Sequence, residues 1–293
     1  MIQAAKGEKA FHISNNLFLT LVSLAFLLPL FVVLMTSFVS QDEIARRGSF
    51  ILIPQNFDLT AYKLVLAGGS RIYSSYGITL FRVTVGTFLQ LLFTCSMAYA
   101  VSKTYLPGRG LVIAMVNIAV VFPVPLIPYF LLVKSLGLTD SVWSLTLPFA
   151  INSMYFFIMK AFFQQLPEGI EEAATIDGCN PLDLFVKIVL PLSLPSIATV
   201  GMIYAVWHWN EWFYAAIFIN DNAKLPLQNI MRGILLQASA ADINTQTSEI
   251  GALPPAESIK CAVIIISTLP ILCVYPFIQK YFVKGFLVGG VKG

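Results

Sequence analysis

Polar and apolar positions along this chain are sorted into long blocks. Six stretches, 17–39, 77–102, 111–133, 142–163, 194–219 and 259–281, are apolar almost throughout. A helix needs roughly 20 such residues to cross about 30 Å of hydrocarbon, because it rises about 1.5 Å per residue. The pattern predicts an all-α integral membrane protein: one transmembrane domain over residues 17–293, with a polar arm at 1–16 and a basic tail at 282–293. Lys6 and Lys9 precede the first block, as in a cleaved leader. Its apolar run exceeds the roughly 7–15 residues of a leader core and no small-residue cleavage site follows, so it reads as a retained helix.

The polar segments between the blocks are unequal. The connection "KTYLPGR" is tight, whereas Ser40–Tyr76 and Asn220–Ser258 are long and a 164–191 insert interrupts the apolar pattern. Lysine and arginine divide evenly between the two sides. Short loops and helix flanks carry most of the orienting weight, and "KTYLPGR" with the basic C-terminal end favours both termini in the cytoplasm. The long loops then face outward and the insert faces inward.

Composition agrees with lipid as the main solvent. Of 293 residues, 57% are hydrophobic and 11% charged, against about 25% charged in soluble domains. A net charge of +3 with no long basic run gives no footing for nucleic acid. Cys95, Cys179, Cys261 and Cys273 form no CxxC pair, and His12 and His208 are far apart, so no metal or disulfide framework is expected. No G-x-x-x-x-G-K-[ST] loop is present to cradle ATP phosphates.

The insert "EEAATIDGCNPLDLFVKIVLP", Glu171 to Pro191, is charged where its neighbours are not. Pro167 suits a first helical turn and Gly178 a left-handed C-terminal stop. Asn180-Pro181, with Asp183 at the third helical position, then opens a second helix. Its apolar face is expected to hold Leu182, Phe185, Val186 and Val189. Two readings fit this elbow: a knob for a cytoplasmic partner, or an amphipathic hairpin on lipid. Its carboxylates disfavour the second, since anionic lipids repel them.

These residues resemble a known pattern. Glu172-Ala173-Ala174, then Gly178, then Ile188-Val189-Leu190-Pro191 is similar to the EAA loop of ABC importer permeases. With the tail "YFVKGFLVGGVKG", the chain resembles the smaller permease of carbohydrate importers, relatives of the maltose system's second permease. "AVWHWNEWFYAAIFIND" resembles the lipoprotein-like branch, which includes permeases for acidic oligosaccharides such as pectin and alginate fragments. The resemblance implies the type I importer permease fold, with six spans and no enzymatic chemistry of its own. It implies coupling to an ATPase through Glu171, Glu172, Ala173, Ala174, Asp177, Gly178, Leu182, Ile188, Leu190 and Pro191. It implies a heterodimer with a second permease, two copies of an ATP-binding subunit holding ATP and Mg, an extracytoplasmic solute-binding protein, and a place in the bacterial inner membrane.

For the substrate pathway, polar groups at membrane depth are the candidates. The fifth block holds Trp207, His208, Asn210, Glu211 and Tyr214. Aromatic faces can stack on sugar C–H groups while amides bond hydroxyls, or the tryptophans can form an interfacial belt. Glu211 can instead pair with Arg82, which is also placed to snorkel from its helix end. Asn152 and Tyr155 contact substrate or bond a neighbouring helix. Pro123, Pro125 and Pro128 line the pathway or only kink the third block. A proton-coupled sugar carrier using Glu211 and His208 is the competing reading.

Overall fold

A computed structural model describes residues 6–48, 50–67, 70–245 and 256–290. The centre of the expected outer loop, 246–255, and the last three residues of the tail lie outside them, as do residues 1–5. All regular structure among the described residues is helical. The chain forms two compact units: residues up to 69 with 231–270, and residues 70–230 with 271–293.

In the first unit, α1 spans Lys6–Thr36. It exposes nearly every large apolar side chain, from Phe11 to Phe31, as a helix immersed in lipid would. The short helices α2 (Gln41–Arg47) and α3 (Thr60–Ala67) follow. Glu43 on α2 is buried. Its carboxylate accepts the Gln55 N–H at 2.9 Å and pairs with Arg47, which fastens the loop between the two helices. The Gln55 N–H foremost, then Arg47 and the Asn56 N–H, hold its carboxyl below the usual range against the opposing effect of burial.

The second unit holds the functional core. Helix α4 (Ser70–Phe81) runs through a π turn at Arg82–Gly86 into α5 (Thr87–Ser102). Next come α6 (Arg109–Val121) and α7 (Leu126–Ser135). After two 3₁₀ turns at Val142–Leu145 and Leu147–Phe149, α8 spans Ser153–Phe163. The insert comprises α9 (Glu168–Ile176), α10 (Pro181–Leu184), a π turn at Phe185–Val189 and α11 (Leu190–Leu192). It leads into α12 (Leu194–Asn210) and α13 (Phe213–Phe218). Helices α14 (Leu227–Thr245) and α15 (Ala256–Gly290) close the chain. The core packs α5 against α8 and α12 through Ala98, Phe156, Met159, Val200 and Tyr204.

Among the described residues, Phe11–Thr36, Ile72–Ser102 and Glu257–Val274 are each long and apolar enough to cross a bilayer; counting each of two bent helix pairs, Val142–Phe149 with Ser153–Phe163 (48°) and Pro181–Leu192 with Leu194–Asn210 (80°), as one span gives five. The expected third block is instead two shorter helices. Its chain opens at Phe122–Pro125, where two prolines withhold backbone donors. Pro128 breaks nothing: it falls in the first turn of α7, where a missing N–H is harmless. The fourth block is likewise a pair of 3₁₀ turns followed by a helix, and the fifth breaks at Glu211–Trp212.

Candidate functional site

The break in the fifth block builds the site. Unwinding at Glu211 frees backbone groups that must find partners at membrane depth. Arg82 Nη1 donates to the Glu211 carbonyl at 2.7 Å, and Asn229 Nδ2 donates to the Trp212 carbonyl at 2.9 Å. The Glu211 carboxylate caps the restarted helix by accepting the Tyr214 N–H at 2.6 Å, and its other oxygen lies 2.5 Å from Arg82 Nη2. The guanidinium also faces the Trp207 ring, 5.5 Å from its centroid. Arg82 is fully buried. The snorkelling expectation therefore fails: the broken helix offers Arg82 a carboxylate and a carbonyl, so its charge is matched inside the protein.

A cavity of about 1060 Å³ opens beside this break. Asn152, Tyr155, Trp207, Asn210, Glu211 and Tyr214 all line it. His208 does not. It is buried on another face of α12, against Gly86 of the α4–α5 π turn. Pro123 lines the cavity, and Pro125 and Pro128 do not. Asn152 does something local as well: its Oδ1 caps α8, accepting the Met154 and Tyr155 N–H groups at 3.0 and 3.3 Å. Tyr155 meets Tyr204 edge to face, with centroids 5.1 Å apart. Many lining residues escaped the sequence reading, Gln90, Phe149 and Tyr129 among them. Gln90 and Phe149 are joined by a 2.7 Å bond from Gln90 Nε2 to the Phe149 carbonyl, and Tyr129 bonds the Pro148 carbonyl at 2.8 Å. A buried glutamine in an apolar block was the available signal for the first.

The insert forms the expected elbow. Gly178 sits at φ +85°. The Cys179 N–H reaches the Ala174 carbonyl and the Gly178 N–H the Thr175 carbonyl, at 3.0 and 3.1 Å, closing α9 as a Schellman motif. Asn180 Oδ1 accepts the Asp183 N–H at 2.8 Å, with Pro181 in the first turn of α10. The apolar face of the second helix differs from expectation. Leu182 is 72% exposed and Val186 is exposed too, while Leu184 and Val189 are buried. The π turn at Phe185–Val189 adds a residue to the winding, so the buried pair is spaced by five.

Of the coupling candidates, Ala174 is buried and Ile188 and Leu190 pack on the core, whereas Glu172, Ala173, Asp177, Gly178, Leu182 and Pro191 are exposed. Glu171 turns inward and pairs with Lys103 at the end of α5. Tyr99, one turn earlier, stacks on Phe185 with centroids 4.9 Å apart, and the Lys103 ammonium sits 4.8 Å from the Tyr99 ring. Ile176, at 86% exposure, stands out from the elbow with nothing apolar over it.

This architecture has known counterparts. The chain is 45% identical to Protein LplC of Bacillus subtilis (strain 168), over 98% of this chain and 97% of that protein. It is 44% identical to the polygalacturonan/rhamnogalacturonan transport system permease protein YtcP of the same organism, over 94% and 96%. Its structure matches a chain from a bacterial ABC transporter involved in the import of the acidic polysaccharide alginate. The TM-score is 0.82 and the identity 28%, covering 96% of this chain and all of the other. A family model described as binding-protein-dependent transport system inner membrane component matches residues 4–288, and the chain belongs to that family.

Proposed function

We propose that this chain forms half of the translocation pathway of an ATP-driven importer for oligosaccharides, with fragments of acidic polysaccharides as cargo. The family is one of transport permeases rather than enzymes, and the named relatives include a polygalacturonan/rhamnogalacturonan permease. The observation that carries the proposal is the cavity beside the broken α12–α13 helix, where Trp207, Tyr155 and Tyr214 offer ring faces and Asn152 and Asn210 offer amides. Sugars need both: C–H faces pack on aromatic rings, and hydroxyls require hydrogen-bonding partners once water is excluded.

A second permease closes the other half of the pathway as a heterodimer. Two ATP-binding subunits, which hold ATP and Mg, supply the work, and an extracytoplasmic binding protein delivers the sugar. Six spans with both termini in the cytoplasm place the elbow on the ATPase side. Its exposed face, with Glu172, Ala173, Ile176, Asp177 and Leu182, is a compact apolar and acidic surface suited to a cleft on such a subunit. Closure of the ATPase pair then moves the elbow, and the helices switch between two facing states. The competing carrier reading loses support, because His208 is away from the cavity and Glu211 is engaged by Arg82 and Tyr214.

The direct test is Glu172→Lys in the complete complex reconstituted with its binding protein. Oligosaccharide-stimulated ATP hydrolysis is expected to fall to the unstimulated rate while the complex stays assembled. Undiminished stimulation would remove the elbow from the coupling path.

A further inference from the structure

Glu211 is the one acidic or basic side chain among the described residues that line the cavity. Left alone, it would set a negative field across the pathway. It is not alone: Arg82 lies directly behind it, fully buried, with Nη2 2.5 Å from Oε2 and Nη1 2.7 Å from the backbone carbonyl. The second carboxylate oxygen accepts the Tyr214 N–H. Both oxygens are thus occupied, and the charge is matched by a guanidinium that never reaches the cavity surface.

We propose that Arg82 sets the charge selectivity of this half of the pathway: by cancelling Glu211 it leaves the wall indifferent to a sugar's carboxylates, so that uronate-bearing and neutral oligosaccharides fit it alike. The inference rests on the oligosaccharide reading above. A matched pair presents a dipole, whose field falls off faster than that of a lone charge. The other polar side chains on the wall are amides, hydroxyls and indoles without formal charge, and two of the amides have capacity to spare. Asn152 uses its oxygen to cap α8, which leaves Nδ2 to donate. Asn210 uses Nδ2 on the Val206 carbonyl at 2.9 Å, which leaves Oδ1 to accept. The wall therefore reads hydroxyls and ring faces. Arg82 acts through Glu211 as a positioning residue. It also fixes Trp207, whose ring its guanidinium faces.

The test uses the purified complete importer without its binding protein, so that delivery does not enter. Quenching of intrinsic tryptophan fluorescence is titrated with trigalacturonate and with its uncharged counterpart, α-1,4-linked galactotriose, at low ionic strength. The wild-type affinities are expected to agree within about threefold. Arg82→Gln exposes the Glu211 charge and is expected to weaken trigalacturonate, relative to galactotriose, on the order of ten- to fiftyfold for charges about 7 Å apart at an effective dielectric near 20. Arg82→Gln with Glu211→Gln restores the ratio, and Arg82→Lys preserves it. Equal weakening of both sugars by Arg82→Gln overturns the proposal and leaves Arg82 a structural role. Where Arg82→Gln fails to assemble, Glu211→Gln serves: the unmatched guanidinium shifts the ratio towards trigalacturonate, and an unmoved ratio overturns the proposal. Quenching by neither sugar, in a complex whose ATP hydrolysis they still stimulate through the binding protein, overturns this inference alone. Absence of stimulation by any oligosaccharide overturns the transport reading beneath it.

Discussion

A Cβ on Gly86 would lie 2.4 Å from Nε2 of His208 and 2.6 Å from its Cε1. The π turn of the second block and the last turn of α12 therefore meet so closely that any side chain larger than glycine's would have to displace the imidazole. Gly86 closes the same π turn that Arg82 opens, so this contact sets how near α12 comes to the guanidinium that holds the α12–α13 break. Gly86→Ala is expected to cost about 1–3 kcal/mol, the usual range for overpacking, and to lower the melting temperature of the detergent-solubilised complex. His208→Ala in the same background makes room and should recover part of the loss. An unchanged melting temperature for Gly86→Ala alone would mean that the imidazole swings aside freely.

The elbow is joined to α5 by a charge and a ring. Lys103 pairs with Glu171, and Tyr99 stacks on Phe185. Each charged side chain is 18% exposed, so solvent screens the pair and its share of stability is about 1 kcal/mol or less. Its larger effect is on direction: it ties α9 to a rod that reaches Gln90 at the cavity. Lys103→Glu places two carboxylates together and is expected to cut oligosaccharide-stimulated ATP hydrolysis severalfold with little change in melting temperature. Exchanging the charges, Lys103→Glu with Glu171→Lys, should restore much of the stimulation. A double variant no better than the single one would show that the pair transmits nothing.

The legible parts were those governed by local rules. Gly178, Asn180 and Pro181 specify a helix stop and start whatever surrounds them, and the elbow has the conformation they require. Apolar blocks likewise marked where long apolar helices lie, as at Phe11–Thr36, Ile72–Ser102 and Glu257–Val274. Their interiors were not legible, because a break in a lipid-embedded helix depends on a partner elsewhere in the chain. The Arg82–Glu211 ion pair was open to the sequence as two opposite charges in apolar blocks; that Arg82, 129 residues earlier, would also satisfy the carbonyl of a broken helix was not. A similar separation hides the contact that His208 makes away from the cavity, with Gly86 of the α4–α5 π turn. The buried face of the second elbow helix was misread because a π turn has no spacing signature of its own, and a 3.6-residue period puts Leu182 and Val186 inside.

Asp140 gives the loop after α13 a titratable fastening. It stands in the left-handed region at φ +58°, which aspartate and asparagine tolerate better than other non-glycine residues. Its N–H donates to the Phe218 carbonyl at 2.7 Å, and its Oδ1 accepts the Asn220 and Asp221 N–H groups at 3.1 and 2.9 Å. The Lys224 ammonium lies 3.0 Å from its carbonyl. The Asp221 N–H foremost, then the Asn220 N–H and Lys224, hold the carboxyl below its ordinary value against the opposing effect of burial. A depressed folded-state value means that ionised Asp140 favours the fastened loop. That contribution is present in full above the unfolded carboxylate value of about 4 and is lost as pH falls through the folded one. Protection of the Asn220 and Asp221 amides from hydrogen exchange, corrected for intrinsic rates, should therefore be flat from about pH 5 to 8 and fall only below about pH 4. Asp140→Asn keeps an acceptor and the tolerance for positive φ, so most protection should survive and its acid dependence should vanish. Asp140→Ala removes the acceptor and strains the backbone, and protection at both amides should drop at every pH. Equal protection in the alanine and asparagine variants would show that the loop is held by Lys224 and the Phe218 carbonyl alone.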